Sequence, residues 1–320
     1  IGSFSIRKIN QIKNINKFNF KTILLNGFPI RDINDYSLFD IVVFRNPWLL
    51  NEYKNKCKES LLIYHSFNTN ILKNIKLKKF EEKKNLISFD GSSFSDGFYE
   101  HKKRYFYLYK LIEKNLLRPN LYENNNFFHK LTFYLYIISK NSTQLQKGLI
   151  FILKALSVTN KKIFNKFYMR FDKIIDTISN FNSTDFNKFY RGPLSMNFKN
   201  QIKKANFGFD YYESMNNSKI SINIHTESMG NTAANLRLFE ITGIKSCMIT
   251  EDFMNLSDLF SKDKEVITYK NYDDLVEKIK YLKNNPNIAE EISENGHKKL
   301  LNTHTDKIRI NEYFEMLKKI

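Results

Sequence analysis

The sequence predicts an α/β chain built on doubly wound parallel sheet, and three observations carry that expectation. Short runs of apolar β-formers recur and are bounded by Asn, Pro or Asp. Segments with helical spacing of apolar residues separate many of them. Strands alternating with helices of that length imply parallel crossover units, and 320 residues leave room for one large domain or two ordinary ones.

The first 75 residues read as short strands, Thr22–Leu25, Ile41–Phe44 and Leu61–Tyr64, with a helix-compatible piece at Trp48–Lys58. A Lys-rich linker, Lys73–Lys84, comes next. Leu86–Phe89 is a four-residue apolar strand that runs into a Gly-containing loop at Asp90–Ser93. Over Glu100–Asn115, Tyr105, Leu108, Tyr109 and Ile112 fall at helical spacing. Residues 120–180 differ: Phe127–Ile138, Gln144–Leu156 and Lys161–Ile178 all look helical, no strand pattern interrupts them, and the stretch reads as a helical insertion. From residue 186 the alternation returns. Strands are expected at Ile220–Ile224, Cys247–Ile249 and Val266–Thr268. A helix at Asn235–Thr242 is expected to stop at Gly243 as a C′ glycine. Asn255–Phe260 reads as a short helix. Asp273–Lys283 places Leu275, Val276, Ile279 and Leu282 on one face, and Ile288–Leu301 is a further helix. The last helix, Asp306–Lys319, places Ile310, Tyr313, Phe314 and Leu317 on one side.

Composition limits the function. Lys plus Arg is 51 against 33 Asp plus Glu, a formal net charge of +18. A basic balance of this size suits nucleic acid or an anionic lipid surface. Only nine of the basic residues are Arg, the better bidentate phosphate ligand, and 40 residues are Asn. Lys, Asn, Ile, Phe and Tyr are together what an AT-rich coding sequence favours. The Lys runs (Lys76–Lys79 with Lys83–Lys84, Lys161–Lys162, Lys203–Lys204) are short, scattered and read as solvated faces. Nucleic acid is therefore not the expected partner, while weak peripheral attraction to anionic lipid fits the charge. Cys57 and Cys247 form neither a disulfide framework nor a metal-ligand spacing, which suits a reducing, cytoplasmic home. No apolar run approaches membrane-spanning length.

In an open parallel sheet, ligands bind beyond the carboxyl ends of the strands. That rule selects three segments, Asp90–Gly97, His225–Ala234 and Thr250–Asn255. The second is the richest. A strand ends in His225, a loop carries Gly230 and Asn231, and a helix then opens with Asn235 and Arg237 in its first turns. A helix N-terminus offers backbone N–H groups and partial positive charge to a phosphate, and Arg237 can add a charge-assisted bond. Glu240 shares a face with Arg237 at i, i+3, where it can accept from ribose hydroxyls. The alternative is a plain surface ion pair between the two, with His225 a structural histidine. No GxGxxG, P-loop, HExxH or GxSxG pattern is present.

These residues carry a resemblance. The stretch Gly208–Glu213, Ser218–His225 and Ala234–Gly243 resembles the glycosyltransferases of the spore-maturation (CgeB-like) group. Nearer the C-terminus, Met248–Asp252, Asn255–Phe260, Glu265–Tyr269, Ile288–Ala289, Gly296 and His304–Thr305 with Arg309 resemble the same group. Ile87–Ser92 with His101 and Arg104 extends the match more weakly. The resemblance implies a GT-B enzyme, two Rossmann-like domains across a cleft. It implies a metal-independent transfer with no cofactor, from a nucleotide-diphosphate-sugar to a glycan or protein acceptor. It places Glu240 on the ribose and the Asn235–Arg237 helix start at the diphosphate. His225, Gly230 and Asn231 would line the donor pocket, with Gly91 and Ser92 opposite and Asp252 near the sugar or the pocket mouth. Related enzymes often carry Glu-x7-Glu ending at the position of Glu240, whereas here the first of the two positions is Thr232. The implied organisation is a partial acceptor-side α/β domain at 1–78, a donor domain at 79–303 with the helical insertion at about 120–180, and a C-terminal helix at 304–320. With no initiator Met and only about 75 residues before the first donor strand, the start of the acceptor domain is expected to be missing, and no catalytic base is assigned.

Overall fold

The computed structural model describes residues 21–27, 36–94, 98–123, 142–159, 194–227 and 230–318. In chain order the strands are β1 (Ile23–Asn26), β2 (Ile41–Phe44), β3 (Ser60–Leu62), β4 (Asn85–Ser88), β5 (Asp90–Phe94), β6 (Asn120–Glu123), β7 (Lys203–Lys204), β8 (Ser218–Ile222), β9 (Cys247–Glu251) and β10 (Ile267–Tyr269). The principal helices are α1 (Pro47–Tyr53), α2 (Phe98–Glu113), α3 (Thr143–Thr159), α4 (Phe209–Asn216), α5 (Arg237–Gly243), α6 (Tyr272–Asn284), α7 (Pro286–Thr303) and α8 (Asp306–Leu317). The chain forms two compact units, residues 1–86 with 215–320, and residues 87–214.

The first unit holds two parallel ladders. In one, β2 is central, with β1 and β3 on either side. Ile41–Phe44 is buried along its whole length, as expected of a strand covered on both faces. In the other, β9 lies between β8 and β10, all parallel. The Asn85 N–H donates to the Asn217 carbonyl at 2.9 Å, which brings the start of β4 alongside the start of β8. Helix α6 buries Leu275, Val276, Ile279 and Leu282, the face its spacing predicts. Asn271 caps it by accepting from the Asp274 N–H at 3.0 Å.

The two halves of this unit are tied at a chain crossing. Phe67 N–H donates to the His304 carbonyl and Asp306 N–H to the Phe67 carbonyl, each at 2.9 Å. Thr69 Oγ1 adds a bond to Asp306 Oδ1 at 2.8 Å. His304 is buried between Phe239 and Phe260, its Nε2 against the Leu259 carbonyl at 2.9 Å and its Nδ1 against Arg309 at 2.7 Å. Burial pushes the His304 imidazole down to about 4. Burial, with Arg45 nearby, does the same to His65.

Several expectations are corrected in this unit. Gly243 is the last helical residue of α5, and the left-handed turn falls two residues later, at Lys245 (φ 59°). Glycine at 243 is required by packing, because the Phe67 ring occupies the place of a Cβ. The Lys73–Lys84 segment is no loose linker: Ile75 and Phe80 are buried, and Asn216 clasps the chain there through the Lys76 carbonyl (2.9 Å) and the Lys78 N–H (3.0 Å). Lys83 is buried rather than solvated, donates to the Lys245 carbonyl at 2.6 Å, and is pushed down to about 8, chiefly by burial. Of the expected apolar side of α8 only Tyr313 reaches the core, half-buried against Ile41, Val43, Ile63 and Met316. Ile310, Phe314 and Leu317 are exposed, and Arg309 and Met316 are buried instead.

The second unit carries the parallel ladder β5–β6–β7. Asp90–Ser93 is strand, not loop: it pairs with β6, with an irregularity between Ser92 and Phe94. Likewise β6 opens the stretch read as wholly helical. Helix α2 buries Tyr105, Leu108 and Ile112 as its spacing predicts. The expected helix at Gln144–Leu156 lies within α3, whereas those at Phe127–Ile138 and Lys161–Ile178 lie outside the described residues. Among the described residues no helix is long and apolar enough to cross a membrane.

Candidate active site

The site grows from the carboxyl ends of β8 and β9. Asn223 continues the β8 ladder, its N–H donating to the Ile249 carbonyl at 2.8 Å. Two residues on, that ladder changes character. The Glu251 carbonyl is taken by the Phe253 N–H at 3.1 Å, and the His225 N–H turns to the Glu251 side chain, reaching Oε2 at 2.6 Å. The same oxygen lies 2.8 Å from His225 Nδ1. Both residues are buried, and Phe253 meets the imidazole edge-on with centroids 4.7 Å apart.

The loop beyond His225 is fixed by side-chain amides. Asn223 and Asn235 exchange two bonds, Nδ2 of Asn223 to Oδ1 of Asn235 at 3.1 Å and the reverse at 2.8 Å. Asn255 clasps the main chain of Ala233 from both sides, accepting its N–H at 2.7 Å and donating to its carbonyl at 2.8 Å. Asn255 also donates to the Tyr64 hydroxyl at 3.1 Å. Thr232 donates to Asn46 Oδ1 at 2.7 Å, the oxygen that also caps α1 through the Trp48 N–H at 2.7 Å. Gly230 adopts φ +60°, and a Cβ there would meet the Trp48 ring at 2.9 Å. Thr232 is thus turned into the fold.

The sequence-predicted residues divide between the two units. His225, Gly230, Asn231, Asn235, Arg237, Glu240 and Asp252 all lie along this strand-end region of the first unit. Asn231 is exposed. Arg237 is half-buried at the first residue of α5, and Glu240 is buried one turn later. The helix opens on tight bonds, Leu238 N–H to the Asn235 carbonyl at 3.2 Å and Phe239 N–H to the Leu236 carbonyl at 3.0 Å. Asn235 commits its amide to Asn223. Asp252 pairs with Lys262 at 2.5 Å. Gly91 and Ser92 belong to β5 of the other unit, where Arg104 Nη1 donates to the Ser92 carbonyl at 3.3 Å. Glu251 and Asn255 lie in the Thr250–Asn255 segment that the strand-end rule selects, and Asn223 in the stretch that carries the resemblance, but the sequence assigns them no role. Only the parallel register reveals that Glu251 faces His225. Among the described residues no three His, Cys, Asp or Glu side chains are grouped to hold a metal ion.

Residues 186–315 match the family model described as glycosyl transferase-like. The fold of the chain is of the GT-B type. The fold agrees with that of sucrose-phosphate synthase from Thermosynechococcus elongatus, at TM-score 0.52 and 10% identity, over 97% of this chain and 69% of that one. TarM aligns at TM-score 0.53 and 11% identity, over 97% of this chain and 52% of its own. Anabaena HepE in complex with UDP-glucose aligns at TM-score 0.52 and 9% identity, over 89% of this chain and 66% of its own. The chain thus spans between 52% and 69% of the length of these structures. No curated protein matches its sequence.

Proposed function

We propose that this chain transfers a sugar from a nucleotide-diphosphate-sugar to a glycan or protein acceptor, within the spore-maturation (CgeB-like) branch of such enzymes. The reading is supported by the braced His225–Glu251 pair and the amide-held loop beyond the carboxyl ends of β8 and β9, with Arg237 and Glu240 following in α5, inside the segment that matches the glycosyl transferase-like model. This is where a parallel sheet offers a ligand site.

Breaking the glycosidic bond leaves negative charge on the departing diphosphate. In this reading the backbone of Ala234–Arg237 and the Arg237 guanidinium receive that charge, and Glu240 holds the ribose. The reading needs neither a metal nor a cofactor. The work is done in the cytoplasm, with at most peripheral attraction of the basic surface to anionic lipid. The HepE structure holds UDP-glucose, and a TarM variant structure holds UDP, so a uridine nucleotide is the first donor to try here.

The test is a thermal-shift screen of UDP-, GDP- and dTDP-sugars, then turnover of whichever stabilises the protein. Arg237→Ala is expected to lower turnover by roughly 10²–10³, the scale of losing one preorganised charge stabiliser. Glu240→Ala is expected to weaken nucleotide binding more than the transfer step. Normal transfer by both variants would overturn the assignment.

A further inference from the structure

We propose that Glu251 is the positioning residue of this site, holding His225 with its proton on Nδ1 and so presenting Nε2 as a hydrogen-bond acceptor. The effect on transfer rests on the function proposed above; the effect on the imidazole does not.

Parallel strands would give the His225 N–H a backbone carbonyl of β9 as the ladder continues past Asn223. The chain turns at Glu251–Phe253, that carbonyl is consumed there, and the Glu251 carboxylate substitutes for it at 2.6 Å. A backbone N–H can only donate, so Oε2 is an acceptor in that bond. The second contact of the same oxygen, 2.8 Å to Nδ1, is then met by a proton on the ring nitrogen. Backbone and ring of one histidine are thereby fixed by one oxygen, and the Phe253 edge limits rotation of the ring. Imidazole geometry directs Nε2 away from the carboxylate that holds Nδ1. With Nδ1 protonated, a neutral ring carries its lone pair at Nε2. The pair sits where β8 gives way to the candidate donor loop, so the ring's form bears on the site rather than on distant packing. Glu251 touches no substrate in this assignment and acts through His225.

The experiment is ¹⁵N NMR of the full chain labelled at histidine, read at neutral pH, with and without UDP-glucose. The expected result is a protonated Nδ1 and an unprotonated Nε2 at His225. In Glu251→Leu the oxygen that meets both groups is gone, so the ring should lose its hold on the Nδ1 proton and shift toward the Nε2-protonated form. Transfer should fall roughly 10–100-fold, as when an orienting partner of a functional histidine is removed, with kcat moving more than KM. Glu251→Asp keeps the carboxylate and should restore the wild-type ring form. A wild-type ring protonated at Nε2 or at both nitrogens overturns the proposal, and so does an unchanged ring form in Glu251→Leu. The wild-type measurement decides even if the Leu variant fails to fold. If the wild-type ring form is as expected but no nucleotide-sugar is bound or turned over, the transfer reading falls and the Glu251–His225 assignment stands.

Discussion

Two segments that look alike in sequence, Asp90–Phe94 and His225–Leu236, take opposite structural roles. Each comes after an apolar strand and carries a glycine with polar neighbours. The first becomes a strand itself, paired with β6 from Asp90↔Asn120 onward. Among its described residues the second joins no strand ladder, and side chains take the ladder's place. Asn255 serves both main-chain groups of Ala233, and Asn223 and Asn235 serve one another. A glycine after a strand therefore does not by itself announce a loop. What separates the two is where the main-chain hydrogen bonds go: to a neighbouring strand in one case, to carboxamides in the other.

Three measurements would break or sharpen this contrast. The largest effect is expected from acid, which acts on the frame of the second segment. His65 and His304 are both held near 4 in the folded chain by burial, against about 6.5 when unfolded. The native state keeps them neutral while the unfolded chain takes up protons as pH falls, so stability is full above about pH 6.5 and drains away toward pH 4. Melting temperature tracked from about pH 7.5 down to about pH 4 should fall within that window, and a flat profile would remove these histidines from the frame. Next, Asn255→Ala strips the side-chain partners from both main-chain groups of Ala233, and should cost roughly 2–4 kcal/mol by urea titration. A loss below about 0.5 kcal/mol would mean that the loop has another support. The smallest effect should come from the strand-like segment. Ser93 Oγ donates to Glu123 Oε1 at 2.9 Å, and Glu123 also accepts from the Leu194 and Ser195 N–H groups at 2.8 and 2.9 Å. Ser93→Ala should therefore cost only about 0.5–1 kcal/mol, because the carboxylate keeps two donors.

Much of the frame is legible in the residues themselves. Ile41–Phe44 announces a doubly covered strand by having no polar residue, and α6 announces its buried face by spacing alone. Hydrophobic periodicity reports which residues share a face, but not whether the fold covers that face. In α8 the predicted stripe of Ile310, Phe314 and Leu317 is left exposed while Arg309 goes inward, its Nε donating to the His65 carbonyl at 3.3 Å. Gly243 reads as a helix stop for a sound local reason, yet the decisive contact comes from Phe67, distant in sequence. The strand-end address is legible in the sequence, and Glu251 and Asn255 lie inside a segment that it selects. Their roles are not legible, because a side chain that replaces a backbone partner is visible only once register and turn are known.

The lone tryptophan of the chain, Trp48, lies face to face with Gly230, so the molecule contains its own optical reporter. Emission from that indole registers any lifting of the loop backbone from the ring, without a label and without background from a second tryptophan. Movement of that loop can therefore be tracked in real time, by stopped-flow mixing, on the unmodified protein.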